Sequence, residues 1–318
     1  MTSESSILQI NGVSKSYSNH IALKNVSIDI PEQSLFGILG PNGAGKTSLI
    51  RIINQITGPD SGEVLYKGER IGEKHISKIG YLPEERGLYR KMKVGEQVLY
   101  LARLKGLSKQ VAKQRIDYWF EKFEILGWWN KKVEELSKGM QQKIQFIVTV
   151  LHEPELLILD EPFSGFDPIN ANLIKNEILE LKKKGATVIF STHNMGSVEE
   201  LCDHIALINK SEVVLKGSID DIRQRNKSDL YKVGYRGTSM SFAHALWTGA
   251  ELIEEKKQGN CISATVRLLG NTKPNDLLAS LLPAVEIVEF QELLPSINDI
   301  FINTVEGSGN QIKNQLTE

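Results

Sequence analysis

The chain has 318 residues, with 38 basic and 39 acidic side chains and a formal net charge of −1, so no global basic field points to bulk nucleic-acid binding. At about 100–200 residues per domain the length predicts two domains. Two cysteines, Cys202 and Cys261, lie far apart without metal spacing, which argues against a disulfide framework and a zinc site and fits a reduced cytoplasmic protein.

The first residues, Met1–Ser6, lack a basic n-region and a long apolar run, so a signal peptide is not expected and 1–6 reads as a disordered N-terminus. Spanning a bilayer takes about 18 or more apolar residues in succession. The run Ile144–Leu151 falls short of that, so any membrane contact is expected through a partner or at the periphery. Short strands are predicted at Ile7–Ile10, Val26–Ile30 and Leu35–Leu39, with turns at Asn11-Gly12, Ser18-Asn19 and Pro31-Glu32. Tyr17 falls in one of these polar turns.

The third strand runs into Gly40-Pro41-Asn42-Gly43-Ala44-Gly45-Lys46-Thr47-Ser48, which matches G-x-x-x-x-G-K-[ST]. Leu49–Ile53 follows with helical spacing. Strand, glycine-rich turn and helix aim backbone N–H groups and a helix N-terminus at one point, which suits a polyphosphate. Glycine allows close approach and positive φ. In such a loop Lys46 reaches the β- and γ-phosphates and the Thr47 hydroxyl binds Mg²⁺. Taken alone, the motif leaves open an ordinary glycine-rich turn.

Glu63–Tyr66 and Ile79–Leu82 read as further strands. From Lys93 to Leu151 apolar residues recur at helical spacing, with breaks at Gly106–Ser108 and Gly127. Trp128-Trp129 reads as packing rather than as a ligand platform, and Ser137 as the start of a long helix. Strand–helix alternation returns at Leu156–Leu159, 170–184, Thr187–Phe190, Ser197–Cys202 and Ile205–Ile208, implying a largely parallel sheet covered on both faces. Val213–Leu215 and a turn at Lys216-Gly217 close this unit. Asp221–Lys227 reads as a linker or helix end. Beyond it the order β-α-β-β-α-β plus a helix over 296–305 fits a ferredoxin-like α+β domain, and the polar tail after it reads as disordered.

Leu156–Leu159 ends in Asp160-Glu161. In a doubly wound sheet the ligand lies at the carboxyl ends of the strands. Asp160 there can hold Mg²⁺, and Glu161 can polarise the attacking water. His193 follows another strand and suits a γ-phosphate contact; His75 and His244 read as surface groups. Leu136-Ser137-Lys138-Gly139-Met140-Gln141-Gln142 opens an apolar helix, either an ordinary helix start or a second anion-binding helix end.

This last segment resembles the signature motif of ATP-binding-cassette (ABC) proteins, in the form common in one exporter subgroup. The resemblance covers about residues 7–218 and six ordered motifs. It implies an α/β fold: a P-loop nucleotide-binding domain over 7–220 with a RecA-like parallel core, an antiparallel β subdomain and a helical subdomain over about 88–150. A C-terminal α+β accessory domain would occupy 225–305, followed by a disordered tail over 306–318. By resemblance Tyr17 stacks on adenine and Gly40–Ser48 is the Walker A loop. Leu156–Asp160 with Glu161 is Walker B plus the catalytic acid, Ser164–Asp167 the D-loop and Ser191–His193 the switch segment. Catalytic roles then fall to Lys46, Glu161 and His193, and nucleotide contacts extend to Ser137, Gly139, Gln141 and Asp167. Metal contacts fall to Thr47, Asp160 and Glu84.

The sequence departs from the family pattern at Glu84, where Gln is usual, and at Phe166, where Leu is usual. The string Gly80–Tyr89 resembles sodium-efflux-type ATP-binding subunits, in which Glu is frequent. The family further implies two copies sandwiching two ATPs head-to-tail, and a separate membrane permease gripped by roughly 85–97. The chain would then sit in the cytoplasm, peripheral on the inner face of the cell membrane. Pro295–Phe301 resembles the usual ending of the small domain that follows such subunits, for which a regulatory or dimer-bracing role is expected. No nucleic-acid partner is expected. The alternative is a soluble ABC ATPase of translation or DNA repair, though such proteins typically carry two cassettes, long coiled coils or zinc insertions. A P-loop kinase or GTPase would leave the Ser137 motif without explanation.

Overall fold

The computed structural model describes residues 5–85, 87–164, 166–259 and 261–304. They form two compact units that divide between Ile219 and Asp220.

The first unit opens with β1 (Ser6–Tyr17) and β2 (His20–Pro31), an antiparallel hairpin far longer than the two predicted strands. Asn11-Gly12, expected as a turn, lies inside β1 instead. The pairing slips between Ile10 and Val13 and Gly12 has φ +60°, so these residues form a bulge that bends the strand without ending it. Ser5 and Ser6, expected to be disordered, are held: the Ser5 carbonyl accepts from the Glu32 N–H at 2.9 Å. Residues 1–4 lie outside the described residues, as does the expected tail.

β3 (Leu35–Leu39) is buried along its whole length and leads through the glycine loop to α1 (Lys46–Ile53). β4 (Ser61–Tyr66) and the short β5 (Glu69–Arg70) complete an antiparallel sheet of order β2-β1-β4-β5. His75, expected at the surface, is 6% exposed. Its Nδ1 accepts from the Gly72 N–H at 3.1 Å and its ring packs 5.1 Å from that of Tyr66. The charged neighbours Glu73 and Lys74 hid that burial in the sequence.

β6 (Ile79–Leu82) leads to three helices, α2 (Val94–Leu104), α3 (Lys109–Lys122) and α4 (Lys138–Val150). Trp129 is packing, as its sequence setting suggests. A Cβ on Gly95 would meet its ring at 2.3 Å, Phe120 lies edge-on at 5.9 Å, and the Lys113 ammonium sits 4.3 Å over it. Gly80 does similar service for α4, because a Cβ there would meet the Thr149 carbonyl at 2.6 Å. Helix and strand therefore approach backbone to backbone there.

β7 (Leu156–Asp160), α5 (Pro168–Lys183), β8 (Thr187–Thr192), α6 (Met195–Leu201), β9 (His204–Asn209) and β10 (Glu212–Ser218) complete the unit. β10 continues through the expected turn at Lys216-Gly217. The sheet order is β10-β9-β3-β8-β7-β6; all neighbours are parallel except β10, which pairs antiparallel with β9 at the edge. β3, β7 and β8 are buried on both faces, as central parallel strands require. Their register places Leu39 beside Thr192, Asp160 beside Ser191 and Leu82 beside Leu159. Four loops thus leave the same edge of the sheet side by side.

α7 (Ile219–Arg225) occupies much of the stretch read as a linker. The second unit follows with β11 (Leu230–Arg236), α8 (Ser239–Ala245), β12 (Ala250–Gln258), β13 (Cys261–Leu268), α9 (Pro274–Leu281), β14 (Glu286–Leu293) and α10 (297–304). Every pairing is antiparallel and the order is β12-β13-β11-β14. Numbered within the unit this is 2-3-1-4, the ferredoxin-like arrangement. Alternate residues Tyr231, Val233 and Tyr235 of β11 face a core with Phe242 and Leu277, and the rings of Tyr235 and Phe242 stack at 4.3 Å. The Ser296 hydroxyl caps α10, accepting from the Asp299 N–H at 3.0 Å.

Candidate functional site

The loop between β3 and α1 can wrap a ligand only because two glycines stand where side chains cannot. A Cβ on Gly40 would meet the Ile208 carbonyl at 2.1 Å, and one on Gly45 the Ala22 carbonyl at 2.2 Å; both have positive φ. The Ala44 N–H donates back to the Pro41 carbonyl at 3.2 Å. Lys46 is 7% exposed and curls over the loop, its Nζ donating to the carbonyls of Gly40 at 2.7 Å and Pro41 at 3.1 Å. Burial pushes the Lys46 ammonium down, against the pull of Glu161, Asp160 and Glu84.

In front of the loop lies a cavity of about 390 Å³. From the predicted set it gathers Tyr17, Asn42, Gly43, Gly45, Lys46, Thr47, Ser48, Glu84, Asp160, Glu161 and His193. Their sources are the hairpin end, the glycine loop and the carboxyl ends of β6, β7 and β8. Asp160 is 3% exposed and accepts from the Ser191 hydroxyl. Burial raises its pKa; Glu84 and Glu161 push the same way, and Ser191 and Lys46 oppose.

Glu161 adopts φ +48°, a conformation costing a non-glycine residue about 1–2 kcal/mol. Its backbone N–H donates to the Ser191 carbonyl at 3.0 Å. Its carboxylate accepts from the Thr192 hydroxyl at 3.1 Å and from the His193 N–H at 3.0 Å, and it pairs with His193 Nδ1 at 2.7 Å. The strained turn therefore ends in a carboxylate gripped by the next strand's loop.

Other predicted residues stay apart. Ser137 is exposed and caps α4, accepting from the Met140 N–H at 3.3 Å. The Gln141 amide is folded onto the carbonyls of Val133 at 3.2 Å and Leu136 at 2.9 Å. None of Ser137, Gly139 and Gln141 lines the P-loop cavity of its own chain. Nor does Asp167, whose carboxylate caps α5 by accepting from the N–H groups of Ile169 and Asn170, each at 3.0 Å. Gly165 of the same loop lies outside the described residues. The sequence reading missed His20 and Ala22, which also line the cavity, as does Ser164 of the expected D-loop. His20 and Ala22 come from the long hairpin, whose length was the missing signal.

Three carboxylates, the Thr47 hydroxyl and one ammonium make a donor set of hard oxygens with too little positive charge of its own. Mg²⁺ suits such a set, since it takes oxygen ligands from one or two carboxylates and from substrate phosphates. Among the described residues no helix is long and apolar enough to cross a membrane.

The comparisons agree with this architecture. The ABC transporter family model matches residues 23–164, and the model of the ATP-binding protein DrrA1-3-like C-terminal domain matches residues 217–305. The chain is 42% identical over 299 residues to the ABC transporter ATP-binding protein YhaQ of Bacillus subtilis (strain 168), covering 94% of this chain and 98% of that one. It is 34% identical over 226 residues to the linearmycin resistance ATP-binding protein LnrL of the same organism, covering 70% and 73%. A solved ATP-binding subunit of an ABC transporter superposes with a TM-score of 0.65 at 30% identity, covering 69% of this chain and 92% of that one. The chain belongs to the ABC transporter ATP-binding proteins, a family of ATP-hydrolysing subunits.

Proposed function

We propose that the P-loop cavity binds ATP with Mg²⁺, that two copies of the chain close head-to-tail over two ATPs, and that this closure drives export through a separate membrane permease. The carrying observation is the convergence of Lys46, Thr47, Glu84, Asp160, Glu161 and His193 on one cavity at the carboxyl ends of the strands. The adenine would stack on Tyr17. The loop N–H groups and Lys46 would hold the phosphates, Lys46 giving up its bonds to Gly40 and Pro41. Thr47, Asp160 and Glu84 would hold Mg²⁺, whose charge would offset that of the phosphates. Glu161 would take the proton of the attacking water, with His193 fixing its carboxylate and reaching the γ-phosphate.

Ser137 and Gly139 do not line their own chain's cavity, and this supports their use on another copy's γ-phosphate. Asp167 and Gln141 would then act at that junction, shaping loops rather than touching nucleotide. Permease docking over roughly 85–97 is supported by an exposed aromatic pair: Tyr89 and Tyr100 are 54% and 45% exposed and pack edge-on at 6.4 Å. Such a permease would place the chain on the cytoplasmic face of the membrane. The lean to export rests on the exporter-type motifs and on the resistance role in the name of LnrL.

The test is assembly. A Glu161→Gln chain given ATP and Mg²⁺ is expected to shift from monomer to dimer mass and to return when the metal is chelated. A chain that stays monomeric while saturated with ATP would sink the head-to-tail reading. Co-purification of a polytopic membrane protein with the tagged chain checks the permease.

A further inference from the structure

Helix α4 presents an unusual stripe to the interior. Its inner face is otherwise apolar, with Ile144, Phe146, Ile147 and Val150 buried. Yet Gln142, Gln145 and Thr149 stand at i, i+3 and i+7, on one side of the helix. Buried amides cost stability unless bonded, so their partners matter.

Those partners are backbone carbonyls of the loops that carry the carboxylates. Gln145, 6% exposed, donates its amide to the carbonyls of Pro83 and Glu85, each at 3.3 Å, straddling Glu84. Gln142 donates to the Ser164 carbonyl, and the Ser164 N–H in turn donates to the Glu161 carbonyl at 3.1 Å. Thr149 reaches the Tyr81 carbonyl at 3.4 Å and bonds the Gln145 carbonyl at 2.8 Å. Among the described residues the Gln142 Oε1 is buried without a partner, and Gln142 and Gln145 both line a void of about 20 Å³ shared with Glu84, Asp160 and Glu161. Neither glutamine lines the P-loop cavity.

We propose that Gln142 and Gln145 are positioning residues: a two-point clamp by which the helix behind Ser137 holds the Glu84 loop and the Glu161 turn in one register. The clamp rests on the assignment of Glu161 as the base. It acts on turnover and leaves nucleotide affinity alone, because it grips the loops from behind. It also gives the helix a direct lever on the carboxylates: a displacement of α4 at its capped end moves both loops together. The strained φ of Glu161 makes that turn the sensitive partner, since its carboxylate is held from the front by bonds to Thr192 and His193.

The experiment uses the full chain with Gln142→Met and Gln145→Met, separately and together. Met keeps the length of the side chain and removes the donors. Phosphate release and binding of a fluorescent ATP analogue are measured side by side. Displacing a catalytic group by about 1 Å costs roughly 100-fold in rate, so each variant is expected to lose about 10- to 100-fold in kcat. Affinity for the analogue should stay within about twofold, since no cavity contact is lost. In a Glu161→Gln background Gln142→Met, which acts on the Glu161 turn through Ser164, should add almost nothing to the loss, as residues that act as a unit are not additive. A kcat within about twofold of the parent overturns the clamp, as does a full further loss from Gln142→Met in the Glu161→Gln background. If Gln145→Met does not fold, Gln142→Met, at a partly exposed position, decides alone. Near-normal turnover of Glu161→Gln by itself would reject the base assignment, which is a separate outcome.

Discussion

The two units solve burial in opposite ways. All the buried polar and charged side chains among the described residues lie in the first: Lys46, Asp160, Gln145, Ser191 and Thr192 around the cavity, and Ser34, His75, Gln97, Thr149, Glu177, Thr187 and Ser211 elsewhere. In the second unit the core is aliphatic and aromatic. Its charges pair across the sheet surface instead, as in Lys232 with Glu289, Arg236 with Glu286 and Arg267 with Glu251. Such exposed pairs contribute about 0–1 kcal/mol each, so packing holds this unit together. The first unit accepts desolvated charge and, at Glu161, backbone strain. The contrast separates a region built for chemistry from one built for shape.

The largest expected effect attacks the first unit. Glu161→Gln removes the proposed general base while keeping its volume, and ATP turnover should fall about 10²–10⁴-fold with binding retained. Turnover near that of the parent would place the base elsewhere. Next comes the second unit, where Phe242→Ala opens a cavity beneath the stacked Tyr235 ring. It should cost that unit about 3–5 kcal/mol in a denaturant titration. ATP affinity should be unchanged; a matching loss of affinity would break the division of labour drawn above.

A smaller effect is expected with acid. Burial holds the His152 imidazole down at about 4 from 6.5; Lys105 and Arg115 push the same way, and the Ile79 carbonyl, 3.2 Å from Nε2, opposes them. The unfolded chain therefore binds a proton that the folded chain refuses between those values. Stability from this group is full above pH 6.5 and is lost as pH falls through about 4, amounting to no more than about 3 kcal/mol. Unfolding of the first unit followed from pH 7 to pH 4 should show the decline, and His152→Gln should flatten it. An unchanged slope in that variant would move the acid response to other groups.

Much of this contrast was legible in the sequence, and the gaps have physical reasons. The P-loop, the Asp160 strand and the ferredoxin-like order were readable because local chemistry fixes them: glycines at forced turns, an apolar strand ending in acids, and period-two alternation in 231–235. The long hairpin was not, because a bulge at Asn11-Gly12 has the same residue signature as a turn. His75 failed for a related reason, its burial being decided by Tyr66 from another strand. The distribution of site residues was half legible. Sequence spacing names Ser137 and Glu161 with equal force, but only folding shows that one lines the cavity and the other does not. Gln142 was read only as the end of the signature segment and Gln145 carried no signal at all, since a glutamine on a helix reads as surface until its partners are known.

That separation of Ser137 from Lys46 makes mixed dimers the most direct test of the composite site. On the composite-site reading, a Lys46→Ala chain and a Ser137→Ala chain would each give dimers with two defective sites. Combined, they should form a dimer in which one site has an intact P-loop from one copy and an intact signature from the other. ATP turnover of the isolated mixed dimer should exceed that of either parent mutant several-fold. A mixed dimer that forms and yet turns over no faster than its parents would contradict the account.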